Sequence, residues 1–310
     1  MNNSSSLYHY KLYGLHVASE IELTELIVSS EQDNIDVLII KKPISAEIKQ
    51  AQINNIHYHF STNDIWYEVE GLGTYHIKNG TSIEVDYDED KDFQLVKGYL
   101  LGTAFGCLIA QREQVAFHGG TIVMNHGAII VTGESGAGKS TLTTALRNQG
   151  YGFLADDVSV TTLNHANQCI VQPAFPQQKL CRDAMIQMGY TPNNYIKVDE
   201  ERDKYLLPVK QQFINHAIPL TCIIEIAIGT TLQLNEIKGK EKLKILFRNI
   251  YRCSIWEHLS MPSNYFKRCL MIAKQIPVYQ LQRPDSEYTI DEQIMLLIKV
   301  FQDQKKEHVV

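Results

Sequence analysis

Gly133, Glu134, Ser135, Gly136, Ala137, Gly138, Lys139, Ser140 and Thr141 spell "GESGAGKST", which satisfies the spacing G-x4-G-K-S after the apolar run "AIIV" that closes at Val131. Glycines at those positions let the backbone curl so that successive N–H groups converge on phosphate oxygens. A helix starting at Lys139 adds its positive dipole end at the same spot. Lys139 is placed to reach the terminal phosphates and Ser140 to offer its hydroxyl to Mg²⁺. The chemistry is therefore triphosphate binding. Alone it does not choose among a kinase, a hydrolysing switch and a nucleotide sensor.

Two flanking groups narrow the choice. "FLADD" puts Asp156 and Asp157 at the end of an apolar strand, 16 and 17 residues after Ser140. One helix out and one strand back returns the chain to the phosphate end of a sheet. Neighbouring side chains of an extended strand face opposite ways. One carboxylate can therefore serve the metal or its waters and the other an acceptor hydroxyl, the alternative being that both belong to the metal's shell. Before the loop stands "FHGGTI", with His118 followed by two glycines. A lone histidine is more often structural, and His118 gains weight only in company with the other two groups.

The elements that must carry these residues form an α/β layer. From Val115 apolar strands alternate with helices, with Lys139 to Gln149 helical and Gly150 as its cap. "PLTCIIEIAI" is a further buried strand, "EKLKILFRNIYRCSIW" has helical spacing, and Thr289 to Gln302 reads as an amphipathic closing helix. The first ninety residues read instead as short β-branched and aromatic strands with turns such as Asn79-Gly80. The acidic stretch Glu84 to Asp92 is taken as the boundary. It gives a β-rich N-terminal domain over 1–92, for recognition of substrate or partner, and a catalytic domain over 93–310.

Composition sets outer limits. The chain has 310 residues, 44% hydrophobic and 21% charged, with a net charge of −6. That balance argues against a nucleic-acid or membrane-surface partner. The six cysteines form no C-x-x-C pair, and reduced thiols in a cytoplasmic protein are the simpler expectation. "MNNSSSLYHYKL" lacks the basic and apolar regions of a secretory signal. "GYLLGTAFGCLIA" is too short to span a bilayer at 13 residues and reads as a core helix with Gly98, Gly102 and Gly106 on one face.

His118-Gly119, the G-x4-G-K-S loop and Ala155-Asp156-Asp157, at their mutual spacing, resemble the catalytic half of the HPr kinase/phosphorylase family. The resemblance is clearest over about 112–165 and weaker to about 300. It implies a P-loop kinase fold of the phosphoenolpyruvate-carboxykinase-like type, using ATP and Mg²⁺. It also implies Asp157 as general base for a serine hydroxyl, with His118 in support. The chain departs from the carrier-protein kinases in having Val158 where they place a basic residue. It also lacks their Gly-rich signature with a metal-binding glutamate. In this it is similar to smaller HPr-kinase-like proteins of peptide-modifying systems, among them the lasso-peptide kinases.

The expectation is accordingly an ATP- and Mg²⁺-dependent serine kinase acting on a ribosomally made precursor peptide, at its C-terminal serine. Ser140 and Asp156 would hold the metal; Asp157, His118 and Lys139 would be catalytic. Lys179 and Lys204 stand in apolar or Pro-bounded contexts, where an isolated charge is costly unless it meets a phosphate or carboxylate. Arg248 and Arg252, four apart on one helical face, could clamp such a group or pair with surface carboxylates. The competing expectations are a nucleotide-sensing module without phosphotransfer and a kinase of a small-molecule hydroxyl. A homo-oligomer is left open.

Overall fold

The computed structural model describes the chain except for residues 1–6, 31–33, 200–202, 286 and 308–310. The start of "MNNSSSLYHYKL" and the Glu201-Arg202 pair of "ERDKYLLPV" thus lie outside the described residues. The architecture is mixed α/β with two eight-stranded sheets and one three-stranded sheet. The chain divides into two compact units, residues 1–116 with 251–266, and residues 117–250 with 267–310.

The first unit is built on strands β1 (Tyr8–Leu12), β2 (Leu15–Ser19), β3 (Ile27–Val28) and β4 (Val37–Lys41). Helix α1 (Ala46–Ile53) precedes β5 (Tyr58–Phe60), β6 (Asp64–Val69), β7 (Gly73–Lys78) and β8 (Ser82–Asp86). They pair in the order β3-β1-β2-β4-β8-β7-β6-β5. Tyr13-Gly14 and Asn79-Gly80 turn two of the hairpins, all four residues having positive φ, as a tight right-twisted hairpin requires. Helix α2 (Phe93–Tyr99) runs through a π turn (Leu100–Ala104) into α3 (Phe105–Gln111).

That continuous 19-residue helix is long and apolar enough to cross a membrane, and 56% of its most apolar window is buried inside the protein. The length argument made from 13 residues therefore falls. The glycines do form a notch: a Cβ on Gly106 would sit 2.7 Å from the Tyr251 ring, and one on Gly102 3.3 Å from its hydroxyl, whereas Gly98 faces open space. The contact pattern groups this helix with the preceding strands, so the units part at 116/117 rather than at 92. The short helix α7 (Ile255–His258), further along the chain, also falls in this unit.

The second unit begins within β9 (Val115–Met124) and continues with β10 (Gly127–Gly133), helix α4 (Lys139–Asn148), β11 (Gly152–Ala155), β12 (Val158–Leu163) and β13 (Cys169–Val171). Then come β14 (Gln177–Cys181), helix α5 (Arg182–Gln187), β15 (Ile196–Asp199) and β16 (Lys204–Pro208). Strands β17 (Ile218–Gly229) and β18 (Gln233–Ile237) precede helix α6 (Gly239–Arg248); α8 (Ser263–Gln275), β19 (Val278–Pro284) and α9 (Ile290–Glu307) complete the chain. The main sheet runs β10-β9-β12-β13-β17-β19-β18, and a further β10–β17 pairing closes its first five strands on themselves. Strands β10, β17 and β19 are mutually parallel neighbours, so their C-terminal ends share one edge. Helix α4 is fixed there by Leu142 and Leu146, buried with Ile122, Val131, Phe153, Ile224 and Leu281, and with Ile290, Ile294, Leu297 and Phe301 of α9.

Candidate active site

Strand β10 ends in Gly133 and the loop curls immediately, with φ of 135° at Gly133, 84° at Gly136 and 109° at Gly138. Only glycine takes such values without strain. Gly133 is doubly constrained, since a Cβ there would stand 2.4 Å from the Ile226 carbonyl of β17. Lys139 opens α4 and turns back over the loop, donating to the carbonyls of Gly133 (2.8 Å) and Glu134 (2.9 Å). Burial holds its ammonium below the ordinary lysine value, against the pull of Asp157. The Ser140 hydroxyl has no protein partner among the described residues.

The acidic pair enters from β11, whose register with β9 shifts between Phe153 and Ala155. Such an irregularity re-aims the side chains that follow. Asp156 Oδ2 accepts the Lys179 backbone N–H at 2.8 Å. Burial, then the charge of Asp157, pushes the Asp156 carboxyl up to about 6. Asp157 takes a left-handed backbone conformation with φ of 64°, uncommon for a residue with a Cβ but best tolerated by Asp and Asn. Its carbonyl accepts the Gly119 N–H at 3.0 Å.

Its carboxylate lies 3.3 Å from His118 Nδ1, with 37% and 38% of the two side chains exposed, so an incoming hydroxyl can reach them. Burial raises the Asp157 carboxyl, but Lys179, His118, Lys204 and Lys139 together outweigh it and leave it below the ordinary value. Burial is also the main influence on His118 and keeps it below its ordinary value despite Asp157. The outcome is an ionised Asp157 beside a neutral imidazole.

His118 is held from the backbone. Its N–H donates to the Asn249 carbonyl at 2.8 Å. The Thr132 hydroxyl lies 2.7 Å from the His118 carbonyl and 2.9 Å from Asn249 Oδ1. Asn249 Nδ2 in turn donates to Glu225 Oε1 and the Ile245 carbonyl, both at 2.8 Å. Gly119 must be glycine, because a Cβ would fall 2.2 Å from the Val131 carbonyl of β10.

Lys179 and Lys204 come together on the β14–β16 hairpin, where Lys179 faces Leu206 and Cys181 faces Lys204. Alternate residues share a face, so both lysines project from one side, while Leu180, Tyr205 and Leu207 pack into a small core on the other. Neither ammonium has a short-range partner among the described residues. Arg248 is differently employed: its guanidinium grips Glu225 through Nε (2.7 Å) and a second nitrogen. Helix α6 stops at Arg248 because Asn249 turns to cap it. Arg252 is therefore not on a shared helical face with Arg248. It has φ of 52°, donates to Thr103 Oγ1 at 2.6 Å and belongs to the first unit.

Glu225, Asn249 and Arg283 are site-building residues that sequence reasoning did not single out. Glu225 carried a signal, a charge in the middle of an apolar strand. Asn249 and Arg283 carried none, since the contacts that matter, Asn249 with Thr132 and Arg283 with Ala137, lie 117 and 146 residues away.

The donor set suits Mg²⁺ bound with a nucleotide: one carboxylate with an open oxygen, one unpartnered serine hydroxyl and room for phosphate oxygens. Such ions keep waters and substrate ligands in place of an all-protein cage. No cluster of three or more His, Cys, Asp or Glu side chains suited to a metal occurs among the described residues. All six cysteines are free, with only Cys181 and Cys253 exposed.

No family model matches the chain, and no curated protein does. Among solved structures, the Hpr(Ser) kinase/phosphatase from Coxiella burnetii is similar over 61% of this chain and 98% of its own, at 15% identity and a TM-score of 0.34. A likeness that slight carries no argument, and function is argued from the site.

Proposed function

We propose that the protein is an ATP- and Mg²⁺-dependent phosphotransferase whose acceptor is a hydroxyl group. The observation that carries this is the His118–Asp157 pair beside Lys139 of the phosphate loop. A sensor needs the loop but has no use for an ionised, solvent-reachable carboxylate next to it. In this reading Asp157 Oδ accepts the hydroxyl proton as the hydroxyl oxygen attacks the γ-phosphorus and ADP departs. Neutral His118 orients Asp157. Lys139, Lys179 and Lys204 stabilise charge on the transferring group. When bound at Ser140 and Asp156, Mg²⁺ would supply further neutralisation of the phosphates.

The acceptor we propose is a serine of a peptide, at its C-terminus in a ribosomally made precursor, on the strength of the motif resemblance alone. The first unit would recognise it, with an edge such as β5, where Tyr58 and His59 are exposed, adding the peptide as a further strand. The test is incubation with ATP, Mg²⁺ and serine peptides encoded near this gene, read by mass spectrometry as a phosphoryl gain. Nucleotide binding without transfer to any peptide or small hydroxyl compound would favour a regulatory module instead.

A further inference from the structure

We propose that Arg283 is a positioning residue for the phosphate loop, holding two of its carbonyls outward so that its amides close around a polyphosphate. The ligand in this proposal rests on the phosphotransferase reading; the clamp rests on geometry. Arg283 stands one residue from the end of β19, on the same sheet edge at which β10 delivers the loop. Its Nε donates to the Ala137 carbonyl at 2.8 Å, one terminal nitrogen reaches the Gly136 carbonyl at 3.4 Å, and the other donates to the Pro284 carbonyl at 2.9 Å. The guanidinium is thus tied to its own strand at one end and to the loop at the other.

A trans peptide plane carries its carbonyl and the next N–H on opposite sides. Drawing the Ala137 carbonyl onto Arg283 therefore turns the Gly138 N–H the other way, into the loop's hollow. Drawing out the Gly136 carbonyl turns the Ala137 N–H inward, where it meets the Glu134 carbonyl at 3.2 Å and closes the turn. With the Ala137 N–H spent on that turn, the Gly138 N–H left in the hollow is the kind of donor an anion binds. The side chain of Arg283 is only 16% exposed, and the nearest carboxylate, Asp285, is 74% exposed at 4.0 Å. Its charge is consequently little neutralised and adds to the potential at the loop. Lysine would keep that charge but lacks the fork that spans two carbonyls.

The experiment compares the full chain with Arg283→Lys and Arg283→Met. It measures melting temperature, calorimetric binding of ATP and of tripolyphosphate with Mg²⁺, and hydrogen exchange of residues 134–138 without ligand. The proposal expects near-native melting, at least tenfold weaker binding of both ligands by both variants, and faster exchange confined to the loop. Native affinity in Arg283→Lys would reduce the residue to a charge and overturn the clamp. Native affinity and native exchange in Arg283→Met would overturn the proposal altogether. If the unaltered protein binds neither ligand, the phosphotransferase reading falls, while loop exchange in the variants still decides whether Arg283 shapes the loop.

Discussion

Asp156 and Asp157 are adjacent in the chain and opposite in proton affinity, because burial and the charge of Asp157 raise the one while a ring of cations holds down the other. Asp157→Asn keeps a residue suited to positive φ and removes the proposed base. It should lower the transfer rate by roughly 10²–10⁴, while calorimetry finds nucleotide affinity within about threefold of the unaltered protein. For Asp156 the sign runs against stability. The folded carboxyl titrates near 6 and the unfolded one near 4, so between those values the native state binds more protons. Stability then declines as pH rises through that window, and the full penalty is present above it. Asp156→Asn should therefore raise the ligand-free stability at pH 8 by about 2–3 kcal/mol, with the gain vanishing below about pH 4. Thermal melts across pH check this, and an unchanged difference at acid pH would refute it. That His118, the glycine-rich loop and the acidic pair come together was legible, because they stand at short fixed spacings along the chain. Arg283 was not, its loop contacts being 146 and 147 residues away.

At the scale of elements, the site depends on how closely β9 and β10 approach and on where α6 ends. Gly119→Ala would press a methyl against the Val131 carbonyl, and overpacking of this kind costs about 1–3 kcal/mol or more. Denaturant titration should show that loss. Asn249→Ala should cost about 1–3 kcal/mol by stripping partners from buried Glu225 and Thr132, and it should also slow transfer through misplacement of His118. Glu225→Gln is the companion variant, keeping shape while removing the charge that fixes Arg248. The alternation of strands and helices after Val115 was readable from period and turn residues. The helical pattern through "EKLKILFRNIYRCSIW" misled beyond Arg248, since Asn249 spends its side chain on Glu225 and the Ile245 carbonyl. The π turn within the long helix left no trace in sequence, being a backbone adjustment inside an unbroken apolar run.

For the molecule as a whole, the boundary expected at the acidic stretch could not be found from composition, because membership of a unit is decided by contacts made far along the chain. Within the second unit, α9 closes the core that also holds Ala137 of the glycine-rich loop, with Ile290, Ile294, Leu297 and Phe301. At about 1.5–3 kcal/mol for each buried side chain, deleting residues 289–310 removes about as much as an ordinary domain's whole stability. The truncated chain should lose cooperative melting by calorimetry. Residues 251–266 rejoin the first unit after the chain has built most of the second, and this has a consequence for synthesis. A leading domain ordinarily folds while the remainder is still being made. Here the leading unit lacks Tyr251, which fills its glycine notch, until well over half of the protein has left the ribosome. Nascent chains stalled near residue 150 should expose residues 7–116 to protease, and chains stalled beyond the exit tunnel's length past 266 should protect them.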